Sequence, residues 1–253
     1  MPDGVFRSAP HFLRVLVTGG TGTLGEAILV AFAKAGHHTT FQYFSNDEAA
    51  TRLTESLGAA GLKIDFSGEF ELPSADFDVL VNCAGITISE ERTHSVDPAV
   101  WARMMQVNVT APFLLARAVL PGMLHRGWGR VINVGTIYSL RAARHRAPYV
   151  ASKHALSGLT KVMALEYAGT GVTCNEICPS AVDSEMINRI ARRRAEIRGV
   201  AAEDVIADYR ALNPTGRLAT AAEVASAVVY LASPEAGFVN GVSFPIDGGQ
   251  IAS

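Results

Sequence analysis

Short apolar runs alternate with longer amphipathic segments along the whole chain. The apolar runs predict strands at 13–17, 39–44, 62–65, 79–82, 130–134, 172–177 and 243–246. The amphipathic segments predict helices at 25–35, 47–57, 98–124, 148–168, 184–212 and 220–232. Strands that alternate with helices are joined by right-handed crossovers and lie parallel in one sheet. The pattern therefore predicts an α/β fold, a doubly wound parallel sheet of about seven strands with helices on both faces.

Composition and charge narrow the class of protein. No repeat or Pro/Gly/Ser-rich linker divides the sequence, so we expect residues 1–253 to form a single domain. The formal net charge of −2 gives no general attraction to nucleic acid or to anionic membranes. Residues 1–14 lack the basic and apolar regions of a signal peptide, and nowhere do about 18 apolar residues run together. We expect a cytoplasmic protein that binds neither nucleic acid nor membrane.

The three cysteines show no metal-ligand spacing, and we expect no metal site. Cys174 and Cys178 fall on one predicted strand, where four residues span about 13 Å. That separation is too long for a disulfide. We expect these two residues and Cys83 to be reduced thiols.

A glycine-rich turn follows the first predicted strand and opens the first predicted helix. It covers residues 18–25, with the sequence TGGTGTLG. At such a point the free N–H groups and the positive end of a helix dipole meet, and glycines let a pyrophosphate approach the backbone. A tight turn that binds nothing is the alternative. The position after the first strand of an α/β pattern favours a dinucleotide site.

Tyr149 and Lys153 lie four residues apart on a predicted helix, so their side chains share one face. A phenol has a pKa near 10, and a cation held close to it favours the phenolate and lowers that value. The pair is suited to protonate an alkoxide as hydride arrives, or to deprotonate an alcohol as hydride leaves. Two ordinary surface residues would show the same spacing.

Thr136 follows the strand at 130–134, at the edge where open α/β sheets bind ligands. Its hydroxyl is placed to donate a hydrogen bond to a substrate carbonyl. Ser139 is a rival donor, and a threonine that merely closes a turn is the alternative without a function. We favour Thr136.

Taken together and in order, these motifs resemble the short-chain dehydrogenase/reductase family in its single-domain form. Residues 18–25 resemble the cofactor turn TGxxxGxG, Asp65-Phe66 the acidic pair that contacts adenine, and 82–85 the NNAG motif. Residues 149–153 resemble the YxxxK pair, 179–184 the PGxxxT stretch, and 246–249 the usual ending. The resemblance covers nearly the whole chain. It implies a Rossmann-type fold and the NAD(P)-dependent reduction of a ketone to a secondary alcohol, or the reverse.

The resemblance also implies a role for each matching residue. Tyr149 is the acid/base, Lys153 lowers its pKa and binds the nicotinamide ribose, and Thr136 orients the substrate oxygen. Asn108 holds a water in a proton relay through Lys153. The expected substrate contacts are Thr136, Tyr138, Arg146 and Tyr149. The expected cofactor contacts are Gly19, Thr21, Thr23, Leu24, Gly25, Ser45, Asn46, Asp65, Phe66, Asn82, Ala84, Gly85, Tyr149, Lys153, Pro179, Ser180, Val182 and Ser184. Members are usually homotetramers or homodimers, assembled partly through the helices near 98–124 and 148–168.

Four positions depart from the family pattern. Thr23 replaces the middle glycine of the turn, Cys83 the second asparagine of NNAG, and Ser180 the glycine after proline. Thr136 replaces serine, which keeps the hydroxyl but stiffens its first torsion angle. These departures leave room for an altered substrate specificity.

The residues after the second strand favour NADP(H) over NAD(H). An acid there would bind the ribose hydroxyls and repel a 2′-phosphate, but this chain has Tyr43. No arginine marks a phosphate site at Gly22 or Phe44. The candidate donors to the phosphate are Thr21, Ser45 and Asn46.

Basic residues point to the substrate. The loop 141–146 leads into Tyr149, and five arginines lie on the segment 184–212, which is expected to cover the substrate: Arg189, Arg192, Arg193, Arg194 and Arg198. A solvated helix face is the common alternative. The functional interpretation is that these basic residues recognise a substrate carboxylate, or the phosphates of a coenzyme A or carrier-protein thioester. The segment 149–161 and the tail after Asn213 most resemble 3-oxoacyl reductases and 3-hydroxybutyrate dehydrogenases. In the hydroxybutyrate enzymes a lysine for the substrate carboxylate occupies the position of Arg146. Thr87 and Tyr138 differ from the polar residues that those enzymes use.

Two other functions stay open from the sequence. One is a dinucleotide-binding regulator or scaffold without turnover, and the other is an isomerase or dehydratase that uses transient hydride transfer. The presence of Tyr149, Lys153 and Asn108 together argues against the regulator, because a binding protein would not need their geometry.

Overall fold

The computed structural model describes residues 10–87 and 91–252, and within this part seven strands form one parallel sheet. The strands are β1 Arg14–Thr18, β2 His38–Tyr43, β3 Ala60–Lys63, β4 Val79–Asn82, β5 Gly129–Val134, β6 Val172–Pro179 and β7 Ser243–Ile246. Their order is β3-β2-β1-β4-β5-β6-β7. The direction of winding therefore reverses between β1 and β4. The predicted doubly wound α/β class is confirmed, whereas residues 1–9 of the N-terminal segment considered above lie outside the described residues.

Eight α-helices accompany the strands in the described residues. They are α1 Thr23–Lys34, α2 Asp47–Leu57, α3 Pro98–Met105, α4 Ala111–Arg126, α5 Ala147–Glu166, α6 Glu185–Arg198, α7 Ala202–Ala211 and α8 Ala221–Ala232. The Asp97 side chain accepts a hydrogen bond from Ala99 N and so caps α3, with Pro98 as the first helical residue. Gly58 ends α2 in the left-handed conformation.

Two predicted helices differ from the observed ones. The predicted helix 184–212 is two helices, because Gly199 adopts φ +67° and closes α6 with a hydrogen bond from its N–H to Ala195 O. The predicted helix 98–124 contains a π-helical stretch, Gln106–Thr110, between α3 and α4. Such a stretch inserts an extra residue into the turn and is frequent at functional sites.

The core consists of one apolar layer on each face of the sheet. Val15 and Val17 of β1 pack in the layer with α1 and α8, whereas Leu16 packs in the layer with α4 and α5. This alternation is the period-two pattern of a strand that is buried on both faces. The two layers clamp the sheet, so the residues at its carboxyl edge are held on a rigid support.

The connection from β3 to β4 contains no helix between residues 64 and 78. Phe66 and Phe70 instead pack their rings 4.7 Å apart and close the α4 side of the sheet together with Phe77. This connection leaves Asp65 and Phe66 at the carboxyl edge of the sheet.

The helical run Pro98–Arg126 has the length and mean hydropathy, 1.4, of a membrane-spanning helix. Half of its apolar window is buried inside the fold, as in the core helix of a globular protein. Its apolar residues, such as Leu115 and Val119, pack against the sheet.

Candidate active site

A cleft of about 690 Å³ lies at the carboxyl edge of the sheet. The residues that line it follow all seven strands and belong also to α3, α5, α6 and α7. In a doubly wound sheet this edge, near the point where the strand order reverses, is the usual position of a ligand. The volume is typical of cofactor and small-molecule sites.

The glycine-rich turn after β1 forms one end of the cleft. Gly19 has φ +67°, and a Cβ at this position would lie 2.9 Å from Ala84 Cα. A Cβ at Gly25 would overlap Gly19 O. These two positions therefore require glycine, for backbone conformation and close packing respectively.

Neighbouring strands hold this turn in place. Gly19 N donates to Gln42 Oε1 at 2.9 Å, and Thr18 Oγ1 accepts hydrogen bonds from Cys83 N and Ala84 N at 3.0 and 2.9 Å. No described side chain caps α1 at Gly22, so the first N–H groups of the helix are left for another acceptor. Free N–H groups at a helix N-terminus are well suited to bind a phosphate.

At the ends of β2 and β3, several predicted cofactor residues line the cleft. Asn46 Oδ1 accepts from Ala49 N at 3.0 Å and so caps α2. The carboxylate of Asp65 accepts hydrogen bonds from the backbone and hydroxyl of Ser67, both at 2.8 Å, and they lower the pKa of Asp65. Both side chains are therefore fixed by local hydrogen bonds.

Tyr149 and Lys153 lie on one face of α5 and both line the cleft, as their spacing predicts. Thr136 lies directly after β5 and lines the cleft, and its side chain lowers the pKa of Tyr149. Ser139 does not line the cleft, because its hydroxyl is buried and accepts from Thr136 N at 3.2 Å. The structure thus brings Thr136, and not Ser139, to the phenol.

Burial has the largest effect on the pKa of both members of this pair. Burial raises the pKa of Tyr149 to about 12, and the positive charge of Arg146 and the hydrogen bond with Thr136 only partly oppose this effect. Burial also lowers the pKa of Lys153, whose ammonium donates to Val134 O at 2.8 Å. The ammonium is directed at the β5 backbone, and Arg146 supplies a further positive charge that acts on the phenol. The expected effect of Lys153 on the pKa of Tyr149 stays a prediction.

Asn108 lies in the π-helical stretch and is almost completely buried. Its Oδ1 accepts from Ile86 N at 2.9 Å, and its Nδ2 donates to Ile86 O at 3.0 Å and to Ser152 Oγ at 3.1 Å. A Cβ on Gly85 would lie 3.4 Å from Asn108 Oδ1 and 3.6 Å from Lys153 Nζ. The amide and the ammonium therefore border the same small space, although Asn108 does not line the cleft itself.

Aromatic and basic side chains form the substrate end of the cleft. Arg146 is buried, its guanidinium carbon lies 5.3 Å from the ring centroid of Tyr138, and its Nη2 donates to the Tyr209 hydroxyl at 3.4 Å. Tyr138, Arg146, Tyr149 and Tyr209 all line the cleft. Tyr209 of α7 is a residue that sequence reasoning missed, because nothing in its helix pattern distinguishes it from other amphipathic positions.

The basic group on the covering segment is mostly engaged in other contacts. Arg192 pairs with Glu185, Arg198 pairs with Asp208 at 2.5 Å, and Arg194 lies over the Tyr209 ring. Arg189 lines the cleft and makes no ion pair or hydrogen bond with the described residues. Of this group, Arg189 is therefore the one exposed to the cleft with its charge unpaired.

Nearly all the cofactor residues expected from the sequence line the cleft, and Asn82 is the exception. Its Nδ2 donates to Asn133 Oδ1 at 2.8 Å behind the cleft. Ser180 replaces the family glycine and lines the cleft, and its buried hydroxyl has no partner among the described residues. Sequence reasoning also missed Gln42, which holds the turn, and Arg103, which α3 brings to the cleft near Asp65.

No group of three His, Cys, Asp or Glu side chains within residues 10–87 and 91–252 is arranged to hold a metal ion. The three cysteines are free thiols. Burial raises the pKa of each to about 12, which leaves them as neutral thiols at neutral pH.

Comparisons with known proteins agree with this geometry. A family model described as "Enoyl-(Acyl carrier protein) reductase" matches residues 20–250. Acetoacetyl-CoA reductase of Shinella zoogloeoides is 35% identical over 244 residues, which cover 93% of this chain and 97% of that protein. D-beta-hydroxybutyrate dehydrogenase of Rhizobium meliloti is 34% identical over 253 residues, which cover 94% of this chain and 98% of that protein.

The fold is also found in solved structures. The crystal structure of a phenylalanine-to-tryptophan variant of actinorhodin polyketide ketoreductase with NADPH has a TM-score of 0.87 and 30% identity. The match covers 96% of this chain and 99% of that chain. These findings confirm the predicted fold class and reaction class. The chain belongs to the short-chain dehydrogenase/reductase family of NAD(P)-dependent oxidoreductases.

Proposed function

We propose that this protein reduces a ketone to a secondary alcohol, or carries out the reverse reaction, with Tyr149 as the general acid/base. The observation that carries the proposal is that Thr136 and Tyr149 line the same cleft, with Lys153 one helical turn away from Tyr149 on α5. A donor and a proton-transfer group that meet at one point are what a substrate oxygen needs when its charge changes.

The residues of the cleft fit a nicotinamide dinucleotide. The close packing of Gly19 against Ala84 and the uncapped start of α1 suit the pyrophosphate, and Asp65 and Phe66 suit the adenine. Lys153 would hold the nicotinamide ribose, and Pro179, Ser180, Val182 and Ser184 the carboxamide end. When bound, the nicotinamide supplies or accepts the hydride.

The proton has a defined route in this chain. In the reducing direction the Tyr149 hydroxyl gives its proton to the substrate oxygen, which Thr136 holds by a hydrogen bond. The positive charges of Arg146 and Lys153 favour the phenolate that remains. Asn108 and Lys153 border a common space beside Gly85, and we assign to them the return of a proton through water.

The cofactor preference follows from the end of β2. Tyr43 lines the cleft where an acid would repel the 2′-phosphate, and we infer a preference for NADP(H) over NAD(H). Thr21, Ser45 and Asn46 line the same end and are the candidate donors to the phosphate. Titration calorimetry with both reduced cofactors tests this preference, and it fails if NADH binds at least as tightly as NADPH.

The substrate we favour is a small 3-oxoacyl compound or 3-hydroxy acid. The relatives described above are named for acetoacetyl-CoA and for D-beta-hydroxybutyrate. Arg146 lies buried beside Tyr149 and suits a carboxylate or a thioester carbonyl, whereas Arg189 at the cleft suits the phosphates of a thioester carrier. Helices α6 and α7, within the segment 184–212, would cover the substrate.

A substrate panel with single variants separates these possibilities. Acetoacetate, acetoacetyl-CoA, a neutral ketone and an enoyl thioester are assayed with both cofactors. Arg146→Gln should raise KM for acetoacetate, and Arg189→Gln should raise KM for acetoacetyl-CoA but not for acetoacetate. Turnover of the enoyl thioester alone would contradict ketone reduction.

Tyr149→Phe tests the role of the phenol. NADPH oxidation should fall by about a thousandfold or more while NADPH binding persists. Tyr230→Phe, at a half-exposed position on α8, is the matched control and should keep full activity. Wild-type protein that binds NADPH but reduces no ketone would favour the regulator, and turnover without net change in nicotinamide absorbance would favour the isomerase or dehydratase.

The long helices carry apolar side chains that suit contact with further copies of the chain. Trp101 on α3, Phe113 on α4, and Val162 and Leu165 on α5 are exposed. We propose a cytoplasmic homotetramer or homodimer that buries these residues. Light scattering of the purified protein measures the mass, and a monomer at micromolar concentration would contradict the assembly.

A further inference from the structure

A fully buried carboxyl group lies directly behind the proposed catalytic residues. Glu176 of β6 has no solvent exposure. Its carboxyl packs against the turn that follows β5, because a Cβ on Gly135 would overlap Glu176 Oε1. The next residue after this glycine is Thr136. A fully buried acid is rare unless it has a charged or hydrogen-bonding partner, so this position calls for a reason.

Hydrogen bonds satisfy only one side of this carboxyl. Oε2 accepts from Ser243 Oγ at 2.9 Å, and that hydroxyl lies 3.1 Å from Ser157 Oγ on α5. Oε1 has no hydrogen-bond partner among the described residues. Glu176 also adds to the effect of burial in raising the pKa of the Cys178 thiol, two residues further along β6. One oxygen of the buried carboxyl is therefore left for a further interaction.

Lys153 reaches the same turn from the other side. Its ammonium donates to Val134 O at 2.8 Å, one residue before Gly135, whose added Cβ would overlap Glu176 Oε1. It lies one helical turn before Ser157 on α5 and is buried. Three groups act on its charge: Glu176 most strongly, and the thiols of Cys83 and Cys178. Both thiols stay neutral at neutral pH, since burial raises their pKa values. Glu176 is thus the group that opposes the effect of burial, which by itself lowers the pKa of Lys153.

We propose that Glu176 is a positioning residue of the active site, whose carboxylate keeps the Lys153 side chain in its ammonium form behind Tyr149. This inference rests on the proposed function of Lys153. The reason is electrostatic: in a buried site an ammonium without a counter-charge loses its proton readily, and a neutral amine neither favours the Tyr149 phenolate nor binds a ribose hydroxyl as strongly.

The competing explanation is that Glu176 only fills the space beside Gly135. Glu176→Gln separates the two, because glutamine has nearly the same shape and retains an acceptor for Ser243 but carries no charge. Glu166→Gln is the matched control, since Glu166 ends α5 at an exposed position and exerts no charge effect on Lys153.

The first readout is the titration of Lys153 itself, measured in the protein without cofactor. The chain has only four lysines, so the ¹³Cε signal of Lys153 is assigned by its loss in Lys153→Arg. In Glu176→Gln the Lys153 transition should move to lower pH by about one unit or more, and in Glu166→Gln it should not move. Equal transitions in Glu176→Gln and wild type would overturn the proposal.

The second readout is the pH profile of ketone reduction. If the ammonium is required, the alkaline limb of kcat/KM should move to lower pH in Glu176→Gln, while the control keeps the wild-type profile. A loss of activity that is the same at every pH, with an unmoved Lys153 transition, indicates a space-filling role and overturns the inference.

A third measurement needs no variant and covers the case in which Glu176→Gln does not fold. The carboxyl ¹³C signal of Glu176 in wild-type protein should show an ionised group at neutral pH, and a protonated group would overturn the proposal. The Lys153 titration also does not depend on turnover. If Tyr149→Phe were fully active, the proposed function would fail while the charge coupling remained measurable.

Discussion

Tyr138 packs edge to face against Tyr149, with ring centroids 6.4 Å apart and ring planes at 73°. The guanidinium of Arg146 lies 5.3 Å from the centroid of the same Tyr138 ring. One aromatic side chain thus contacts both the proposed proton donor and the cation that acts on it. Because all three residues line the cleft, the orientation of the phenol depends on Tyr138 as well as on its own helix.

Removal of the Tyr138 ring should therefore lower catalysis more than removal of its hydroxyl. Tyr138→Ala loses one aromatic pair and one cation–π contact, together about 1–2 kcal/mol, and kcat/KM should fall about tenfold. Tyr138→Phe keeps both contacts and should stay within about twofold of wild type. Steady-state kinetics with a neutral ketone measure the difference, and equal losses in the two variants would contradict the role of the ring.

Arg146 should set the pH dependence of alcohol oxidation. Burial raises the pKa of Tyr149 to about 12 and the charge of Arg146 lowers it, so Arg146→Gln should raise the pKa further. Oxidation needs the phenolate, and the acidic limb of kcat/KM should consequently move to higher pH. A neutral secondary alcohol is used so that substrate charge does not contribute.

Arg144→Gln is the control for this experiment, because Arg144 is an exposed arginine of the same loop. Its profile should superimpose on that of wild type. Superimposed profiles for Arg146→Gln and wild type would show that the guanidinium does not act on the phenol.

The elements that could be predicted from the sequence are those with a local cause. The strand pattern, the cap at Asp97 and the left-handed end at Gly58 depend on residues close together in the chain. The division of the covering segment at Gly199 was missed, because a single glycine within an amphipathic pattern is compatible with a continuous helix.

The candidate site shows the same limit. Gly19, Tyr149 and Lys153 come to the cleft as their motifs predict. The direction of the Lys153 ammonium towards Val134 O depends on packing between α5 and β5, and the contact of Arg146 with Tyr209 joins the loop before α5 to α7. Side-chain contacts of this kind depend on tertiary packing, which no local motif records.

Asp78 should carry much more stability than its neighbour Asp76. Asp78 is buried and accepts hydrogen bonds from Arg14 N, Nε and Nη2 at 3.0, 3.0 and 2.8 Å. Arg126 Nε lies 3.0 Å from the same carboxylate as an ion-pair partner. Loss of one partner from a buried ion pair costs about 3–5 kcal/mol, whereas exposed pairs contribute roughly 0–1 kcal/mol. Urea unfolding should therefore show a large decrease in the free energy of unfolding for Asp78→Asn. The decrease for Asp76→Asn, at an exposed position, should be small.

The ion pairs of Asp78 with Arg14 and Arg126 make the stability of the protein depend on pH. Burial would raise the pKa of Asp78, but the hydrogen bonds and charge of Arg14, with the charge of Arg126, hold it below its usual value. A carboxyl whose pKa is lower in the native state than in the unfolded state stabilises the protein at pH values above its unfolded pKa, near 3.9. This contribution is lost as the pH falls through the native pKa. The difference in unfolding free energy between wild type and Asp78→Asn should shrink as the pH falls below about 4. A difference that stays constant down to pH 2 would contradict the ion pair.

Gly135 and Glu176 should behave as a coupled pair. A methyl group on Gly135 would overlap Glu176 Oε1 and lie 2.7 Å from Ser139 Oγ, so Gly135→Ala should lower the free energy of unfolding by about 1–3 kcal/mol. In a Glu176→Ala background the carboxyl is gone and the same change should cost much less. A coupling energy of about 1 kcal/mol or more is expected from the double-mutant cycle.

Gly158→Ala, on α5 with no atom within 4 Å of the added Cβ, is the control and should be neutral or stabilising. If Gly135→Ala were equally costly in both backgrounds, the carboxyl would not be the group that requires glycine at this turn.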